Sequence, residues 1–418
     1  METKLADFIK DTPQGREAEA ILRTCVHCGF CLATCPTYQL LGDELDSPRG
    51  RIYLMKQVLE GAPVTRKTQV HLDRCLTCRS CETTCPSGVQ YGRLVDIGRA
   101  VVDAQVPRQP IDRLQRTALR KIIPKRALFA SLFKLGRTAR PLLPQTLRDK
   151  MPAVRPASAW PAVRHARKML VMAGCVQPSL APSINAATAK VLDALGISLI
   201  SARKDGCCGA VSQHLNAHAE ALNYARRNID AWLPHLEAGA EAIVVTASGC
   251  GTMVQEYGHL LRHDPGYADK AARVSLLFRD VSQVIAAEKT ALEKRLRQGS
   301  QKAKVSQTAE ATPSTVAFHS PCSLQHGLKI RGVVETLLTA AGYQLSYVPD
   351  GHLCCGSAGT YSLLQPELSQ RLLSHKVAAL ESGQPQVIAT ANIGCLTHIE
   401  SGSKIPVRHW IELLAERL

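Results

Sequence analysis

The chain has 418 residues, too many for one hydrophobic core, so its length predicts two to four domains. Hydrophobic residues make up 45% and charged residues 21%, which is typical of soluble globular proteins and excludes a largely disordered chain. The sequence has neither a run of ~18 apolar residues nor an apolar signal core near its start, so we expect neither an integral-membrane nor an exported protein.

Two copies of one cysteine pattern lie in the first 85 residues. Each reads C-x2-C-x2-C-x3-C-P, the spacing of bacterial two-cluster ferredoxins, in which the fourth cysteine binds the other cluster. We therefore predict two [4Fe–4S] clusters, with each fourth cysteine at the start of a short helix. The predicted ligands are Cys25, Cys28, Cys31 and Cys85 for cluster one, and Cys75, Cys78, Cys81 and Cys35 for cluster two. A pair of zinc knuckles is the alternative.

Several arginines lie near the same motifs in sequence. Arg23, Arg49, Arg51, Arg74 and Arg79 are candidates for raising the cluster potentials, because positive charge stabilises the reduced state. Ordinary solvated arginines are an equally good interpretation.

Residues 104–168 carry most of the net charge of +16, with 16 basic and 2 acidic side chains, so the domains themselves are not expected to bind nucleic acid. Eight prolines exclude a long helix here. Leu128, Leu132 and Leu135 recur at helical spacing among basic residues, which indicates a segment that rests on an anionic membrane surface. Contact with another subunit or with the chain's own domains is the alternative.

The other eight cysteines form an internal repeat. Cys175, Cys207, Cys208 and Cys250 are followed by Cys322, Cys354, Cys355 and Cys395 at offsets of 147, 147, 147 and 145 residues. Short apolar runs precede these cysteines and helical patterns intervene, which predicts a parallel α/β sheet with the thiols at the carboxyl ends of its strands. The predicted strands are residues 169–173, 197–202, 242–247, 316–319, 344–349 and 387–391, and the predicted helices include residues 186–195 and 333–341.

Three interpretations of these thiols remain open: an additional iron–sulfur or metal site, a redox-active vicinal disulfide, and buried cysteines that only pack. His319, His352 and His398 lie near the cysteines of the second repeat and are candidate ligands or supporting groups. No sequence motif for binding a flavin, a nicotinamide or a nucleotide is present.

The predicted fold is α+β and multi-domain, with an N-terminal α-helical ferredoxin-like domain followed by two duplicated α/β modules with Rossmann-like parallel sheets. The predicted divisions are a two-cluster domain (1–103), a basic Pro-rich linker or docking segment (104–168), a first Cys-Cys-Gly module (169–297), a flexible linker (298–314) and a second Cys-Cys-Gly module (315–418).

This arrangement resembles the iron–sulfur subunits of membrane-associated flavin dehydrogenases, and especially those of bacterial glycolate oxidase (glycolate dehydrogenase). The stretches that carry the resemblance are residues 25–35, 38–44, 48–53, 75–86, 206–211, 352–361, 390–395 and 408–412.

The resemblance implies an oxidoreductase complex in which separate flavoprotein subunits, which hold the flavin, oxidise glycolate to glyoxylate. This chain would pass the electrons to a quinone or another respiratory acceptor. It would be cytoplasmic, in peripheral contact with the inner membrane, and it would have no nucleic-acid partner.

One departure affects the Cys-Cys-Gly modules. Related modules that hold elaborate clusters end in C-x-x-C, whereas here Met253 and His398 stand at the last position, so each module has four cysteines rather than five. The same subunit of an anaerobic glycerol-3-phosphate or lactate dehydrogenase, or a thiol–disulfide reductase, is the alternative function.

Overall fold

The computed structural model describes residues 1–139, 155–305 and 314–418. The N-terminal region is helical, with α1 (Pro13–Thr24), α2 (Pro36–Leu41), a 3-10 turn (Glu44–Asp46), α3 (Pro48–Leu59), α4 (Arg66–Asp73), α5 (Ser80–Thr84) and α6 (Tyr91–Gln105). Thr12 and Ser47 cap α1 and α3 by accepting hydrogen bonds from Gly15 and Gly50, and a proline follows each cap.

The core of this region forms where α3 crosses α6. Leu22, Met55, Leu59 and Leu94 are completely buried in it. A Cβ on Gly98 would lie 2.5 Å from the sulfur of Met55, so a larger residue here would require the Met55 side chain to move.

The helices α7 (Pro110–Ile122) and α8 (Arg126–Thr138) follow and are short, as the prolines predicted. Three prolines of the segment, at 141, 144 and 152, lie outside the described residues. Much of the segment's positive charge is paired with the rest of the chain: Arg108 contacts Asp73 at 2.8 Å, Arg126 contacts Asp205 at 3.2 Å, and Arg155 contacts Glu400 at 2.8 Å.

Each Cys-Cys-Gly module is built on a four-stranded parallel sheet. The first contains β1 (Arg167–Val171), α9 (Gln177–Leu180), α10 (Ser183–Ala194), β2 (Ile197–Ser201), α11 (Ala210–His214), α12 (His218–Glu237), β3 (Ile243–Val245), α13 (Ser248–Gln255), α14 (Tyr257–Leu260), α15 (Ala268–Leu277), β4 (Phe278–Asp280), α16 (Val281–Ala287) and α17 (Lys289–Val305). Its strand order is β2-β1-β3-β4.

The second module repeats this plan. It contains β5 (Thr315–His319), a π-helical turn (Ser323–Gly327), α18 (Val333–Ala340), β6 (Gln344–Leu345), α19 (Tyr361–Leu364), α20 (Pro366–Glu381), β7 (Val387–Thr390), α21 (Ile393–Glu400), β8 (Val407–His409) and α22 (Trp410–Glu416). Its strand order, β6-β5-β7-β8, matches that of the first module, which confirms the predicted fold class.

Three details differ from the sequence prediction. The edge strands β4 and β8 were not predicted, because three residues are too few for a periodic signal. Strand β6 ends at Leu345, well before Pro349, which has no N–H to donate to a ladder. Helix α17 continues to Val305, inside the predicted linker 298–314, since its Lys, Gln, Arg and Ala residues favour helix; residues 306–313 lie outside the described residues.

The two modules share one continuous buried core. Helix α10 of the first packs against α22 of the second. Near the carboxyl ends of the central strands, the hydroxyl oxygens of Ser248 and Ser323 lie 2.8 Å apart, and the N–H of Ser248 donates to the carbonyl of Ala391. The interface therefore keeps the two cysteine sites in a defined relation to one another.

Candidate metal centres

In each motif, the loop that carries the first three cysteines has an unusual backbone conformation. His27 and Gly29 in one loop, and Thr77 and Arg79 in the other, have φ between 53° and 86°. Non-glycine residues rarely adopt such values, and they mark segments that curl tightly around a centre. In the second loop the N–H of Thr77 points at the sulfur of Cys75, 3.4 Å away.

The four thiols predicted for cluster one line a single cavity, which Cys81 of the other predicted set also lines. Cys25, Cys28 and Cys31 enter it from the first loop, and Cys85 enters from the second motif. Burial raises the pKa of Cys25, and the thiolates of Cys85 and Cys28 raise it further, as expected for converging thiols. A convergent set of thiolates is the donor set that iron–sulfur clusters use, so these residues fit the group.

The four thiols predicted for cluster two also converge. Burial raises the pKa of Cys81 well above its usual range, and the neighbouring thiolates of Cys78, Cys75 and Cys35 add to this effect. Cys35 comes from the first motif, so the structure brings each fourth cysteine to the other loop. Cys35 precedes α2 as predicted, but the same prediction is wrong for Cys85, which follows the last residue of α5 and is itself followed by a turn at Pro86.

Two buried guanidiniums flank this second set. Burial raises the pKa of the Cys75 thiol, but the charges of Arg51 and Arg99 outweigh it and lower that pKa overall. Arg51 is only 1% exposed, pairs with Asp46 at 3.2 Å, and donates to the carbonyl of His71. Arg99 donates to the carbonyls of Leu72 and Cys75.

Among the arginines suggested by sequence, Arg51 is therefore the one buried beside the thiols. Arg74 reaches Asp46 from the other side at 2.8 Å, and Arg79 pairs with Glu256 of the first module at 3.1 Å. Arg23 and Arg49 pair with Glu19 and Glu44 nearer the surface. Arg99 was missed because it lies 24 residues beyond Cys75 and has no local motif.

In the Cys-Cys-Gly modules the thiols lie at the carboxyl ends of the strands, on both sides of the point where the strand order reverses. This is the usual ligand position in such sheets. In the first module the Cys175 and Cys207 thiols affect each other's pKa, as do those of Cys207 and Cys208 and those of Cys208 and Cys250, so the four thiols are neighbours. In the second, the sulfurs of Cys322 and Cys354 lie 3.8 Å apart.

Glycine follows each cysteine pair for a steric reason. Gly209 and Gly356 have φ of 92° and 90°, and a Cβ on them would lie 2.9 and 2.7 Å from the carbonyls of Ala221 and Ser369. The N–H of each glycine donates to the sulfur of the first cysteine of its pair at 3.4 Å.

The three histidines near the cysteines of the second Cys-Cys-Gly module have different surroundings. His319 is buried, its ring lies with the sulfurs of Cys355 and Cys395, and their ligand atoms are within 4.8 Å of one another. Burial lowers the pKa of His319 well below its usual range, and the Lys376 ammonium lowers it further. His398 instead bonds to the Ser369 hydroxyl at 3.1 Å, and the His352 carbonyl lies 2.9 Å from Nε2 of His326.

The second module also touches the ferredoxin-like domain next to cluster two. Leu76, Cys354, Tyr361, Leu368 and Leu372 form a buried group, against which Cys78 and Cys322 pack. Burial raises the pKa of Cys78, and the Cys322 thiolate is the next largest contribution, so these two thiols are neighbours.

A cleft of about 580 Å³ lies between α5 and the second module. Ser80 and Thr83 line it from α5, the helix that carries Cys81, and the opposite wall includes Arg331, Tyr347 and His352. The Thr83 hydroxyl lies 2.8 Å from Nδ1 of His326, which joins the two walls.

Two convergent thiol sets in a small helical domain define an iron–sulfur protein of the electron-transfer class. Comparison with known families agrees. Residues 21–89 match the 4Fe-4S dicluster domain, and residues 169–255 and 316–400 each match the cysteine-rich domain that bears the Cys-Cys-Gly motif.

The glycolate oxidase iron-sulfur subunit of Escherichia coli (strain K12) is 54% identical over 100% of this chain and 99% of its own length. The probable glycolate oxidase iron-sulfur subunit of Bacillus subtilis (strain 168) is 30% identical over 96% and 95%. Lactate utilization protein A of an Exiguobacterium strain is 26% identical over 58% of this chain and 94% of its own length. The chain belongs to the family of glycolate oxidase iron–sulfur subunits.

Membership confirms the predicted resemblance, the iron–sulfur cofactors and the assignment to an oxidoreductase complex as its iron–sulfur component. Within the described residues, no helix has both the length and the apolar character that crossing a bilayer requires.

Proposed function

We propose that this chain takes electrons from a flavoprotein subunit that oxidises glycolate to glyoxylate, and passes them to a quinone-type acceptor. The oxidation releases two electrons and two protons to the flavin. Bound [4Fe–4S] clusters supply one-electron transfer, so the two electrons leave the flavin singly. The observation that carries the proposal is the convergence of eight thiols from two motifs into two sets.

The two thiol sets differ in exposure, which suggests a direction. Cys28 of the first loop is exposed, and Val26 and Phe30 beside it are 67% and 62% exposed. An apolar rim around an accessible centre suits docking of a protein partner. We propose that the flavoprotein binds here, because electron transfer needs a short distance between donor and acceptor.

The second set of thiols is more buried, and we propose that electrons leave the chain from the cluster bound there. Cys75 and Cys81 are buried, and Ser80, which precedes Cys81 in α5, lines the cleft. Its volume is in the range of small-molecule sites. We propose that the acceptor enters this cleft, with Tyr347, which is 81% exposed, as an aromatic surface for a quinone ring.

Peripheral membrane contact is a further part of the proposal. Leu128, Leu132 and Leu135 on α8 are 40%, 43% and 64% exposed, and Lys125, Lys134 and Arg137 are exposed around them. Apolar side chains ringed by cations complement an anionic lipid surface. We propose that α8 lies on the cytoplasmic face of the inner membrane.

The membrane proposal is tested by flotation of the full chain with vesicles containing anionic lipid. Reversing the charges of Lys125, Lys134 and Arg137 to Glu should reduce binding at least tenfold. Reversing the exposed Lys270, Lys289 and Lys294 should not. If the α8 reversal leaves vesicle binding unchanged but releases the flavoprotein, α8 is a subunit contact and the membrane assignment is wrong.

Electron transfer is tested in the assembled complex with glycolate and a short-chain quinone. Cys31→Ser and Cys81→Ser should each lower quinone reduction at least a hundredfold while glycolate still reduces the flavin. Ser87→Ala, which alters the lining of the first cavity without removing a thiol, should keep the rate. Full quinone-linked turnover in both cysteine variants would refute the proposal.

A lactate-oxidising system is the second candidate, favoured by the similarity to lactate utilization protein A. The same subunit of an anaerobic glycerol-3-phosphate dehydrogenase belongs to the same class. Supplying glycolate, lactate and glycerol 3-phosphate in turn to the native complex and following flavin reduction separates the three.

A further inference from the structure

The second Cys-Cys-Gly module contains a buried histidine whose ring makes no hydrogen bond to the described chain. His319 ends β5 and is 1% exposed. Within the described chain, neither of its ring nitrogens has a hydrogen-bond partner. Leaving a buried polar group unsatisfied costs about 1–3 kcal/mol, so a side chain kept in this state calls for a ligand that is not part of the chain.

The ring faces sulfur. The ligand atoms of His319, Cys355 and Cys395 all lie within 4.8 Å of one another, and all three residues are buried. Cys354 and Cys322 continue the group of thiols, 3.8 Å apart. Imidazole and thiolate together are a donor set for zinc, iron and iron–sulfur centres.

A cation balances the charge of such a set. Lys376 is 3% exposed, its ammonium donates to the Asp350 carbonyl at 2.8 Å, and it interacts electrostatically with Cys355 and Cys354. A buried ammonium is costly unless anions lie nearby, and metal-bound thiolates are such anions.

The first module lacks these features. At the repeat offset of 147 residues, Met172 stands where the second module has His319, and it is 2% exposed. Near the last cysteine of each module, Met253 stands where the second module has His398, and His398 is bonded to Ser369. Among the described residues, the imidazole of His319 is therefore the additional donor that distinguishes the second set of thiols from the first.

We propose that the second module binds a transition metal, zinc or iron, with His319 as a ligand beside Cys355 and Cys395, and that the first module has no equivalent ligand. His319 then supplies the donor that the shortened C-x-x-C ending removes. The site does not depend on which substrate or acceptor the complex uses.

Metal analysis of the full chain purified without oxygen is the test. Two [4Fe–4S] clusters account for about eight irons, and we expect metal beyond that amount. His319→Met, which copies the residue of the first module, should lose at least half of the additional metal, whereas Met172→Leu should lose none.

Spectroscopy identifies the metal and the donor. If the additional metal is zinc, X-ray absorption at the zinc edge should show mixed nitrogen and sulfur ligation. If it is iron, electron–nuclear resonance on protein labelled with ¹⁵N-histidine should show a coupled nitrogen. Either signal should vanish in His319→Cys, which retains a donor and should retain the metal.

Two results would overturn the proposal. One is additional metal that stays complete, with an unchanged spectrum, in both His319 variants. The other is native protein that holds no metal beyond the two clusters. If His319→Met fails to fold, His319→Cys decides, because loss of the nitrogen signal without loss of metal supports the assignment and persistence of that signal refutes it.

Discussion

Nε2 of His409 in the second module lies 2.9 Å from the carbonyl oxygen of Thr246 in the first. Nδ1 of the same ring accepts the N–H of Ile411 at 3.3 Å, so the ring is neutral with its proton on Nε2. The residue that caps α22 thus also connects the two modules.

This arrangement predicts a loss of stability in mild acid. Burial lowers the pKa of His409 from about 6.5 to about 4, although nearby Glu412 opposes the shift. Because the folded state resists protonation, the contribution is complete above pH 6.5 and is lost as the pH falls toward 4. The unfolding free energy should drop by about 1–3 kcal/mol over that range.

Chemical denaturation at several pH values measures this effect. His409→Gln should flatten the slope between pH 6.5 and 4, while His375→Gln, at an exposed position, should not. A slope that is identical in the native chain and His409→Gln would contradict the assignment.

Arg51 is predicted to set the potential of the cluster for which Cys75, Cys78, Cys81 and Cys35 are the predicted ligands. Arg51→Gln should lower that reduction potential, because reduction adds negative charge that the guanidinium stabilises. It should also destabilise the fold by about 1–3 kcal/mol, because Asp46 is completely buried and loses one of its partners but keeps Arg74.

Redox titration followed by EPR measures the potential, and Arg74→Gln is the matched control. Arg74 contacts the same carboxylate but is 32% exposed, so its loss should shift the potential and the stability less. Equal shifts in the two variants would show that burial beside the thiols is not the cause.

Gly356 is predicted to tolerate no side chain. Gly356→Ala would bring a Cβ to 2.7 Å from the Ser369 carbonyl at a φ of 90°, whereas Gly359, at a φ of 64°, has open space around it. Gly356→Ala should therefore cost more than the ~1 kcal/mol expected for the strained conformation alone.

Thermal unfolding of both variants makes the comparison. Gly359→Ala should lower the melting temperature slightly and Gly356→Ala by several degrees more. If both variants lower the melting temperature equally, the strained backbone conformation and not the steric clash accounts for the loss of stability.

Tyr347 is predicted to contribute to acceptor binding. Tyr347→Ala should raise KM for a short-chain quinone about threefold to tenfold, with little change in kcat, because in the proposed arrangement the ring contacts the acceptor and not the thiols. Leu363→Ala, which removes another exposed apolar side chain, should leave KM unchanged. A normal KM in Tyr347→Ala would exclude this wall of the cleft.

The sequence by itself determined the repeated elements of this protein. The spacing of Cys25, Cys28 and Cys31 predicts a thiol loop without any tertiary information, because ligands within one loop are arranged by local chain geometry. The repeat offset of 147 residues and the buried strands likewise predicted two parallel-sheet modules. The short edge strands β4 and β8 left no pattern to recognise.

Only the tertiary structure decided what surrounds the thiols. The neighbours Cys78 and Cys322, the guanidinium of Arg99 beside Cys75, and the unsatisfied ring of His319 all come from segments distant in sequence. Burial and electrostatic environment depend on how the modules pack against the helical domain, and single-chain spacing carries no record of that packing. The predicted ligands thus follow from cysteine spacing, while the charge environment of these thiols depends on the assembled fold.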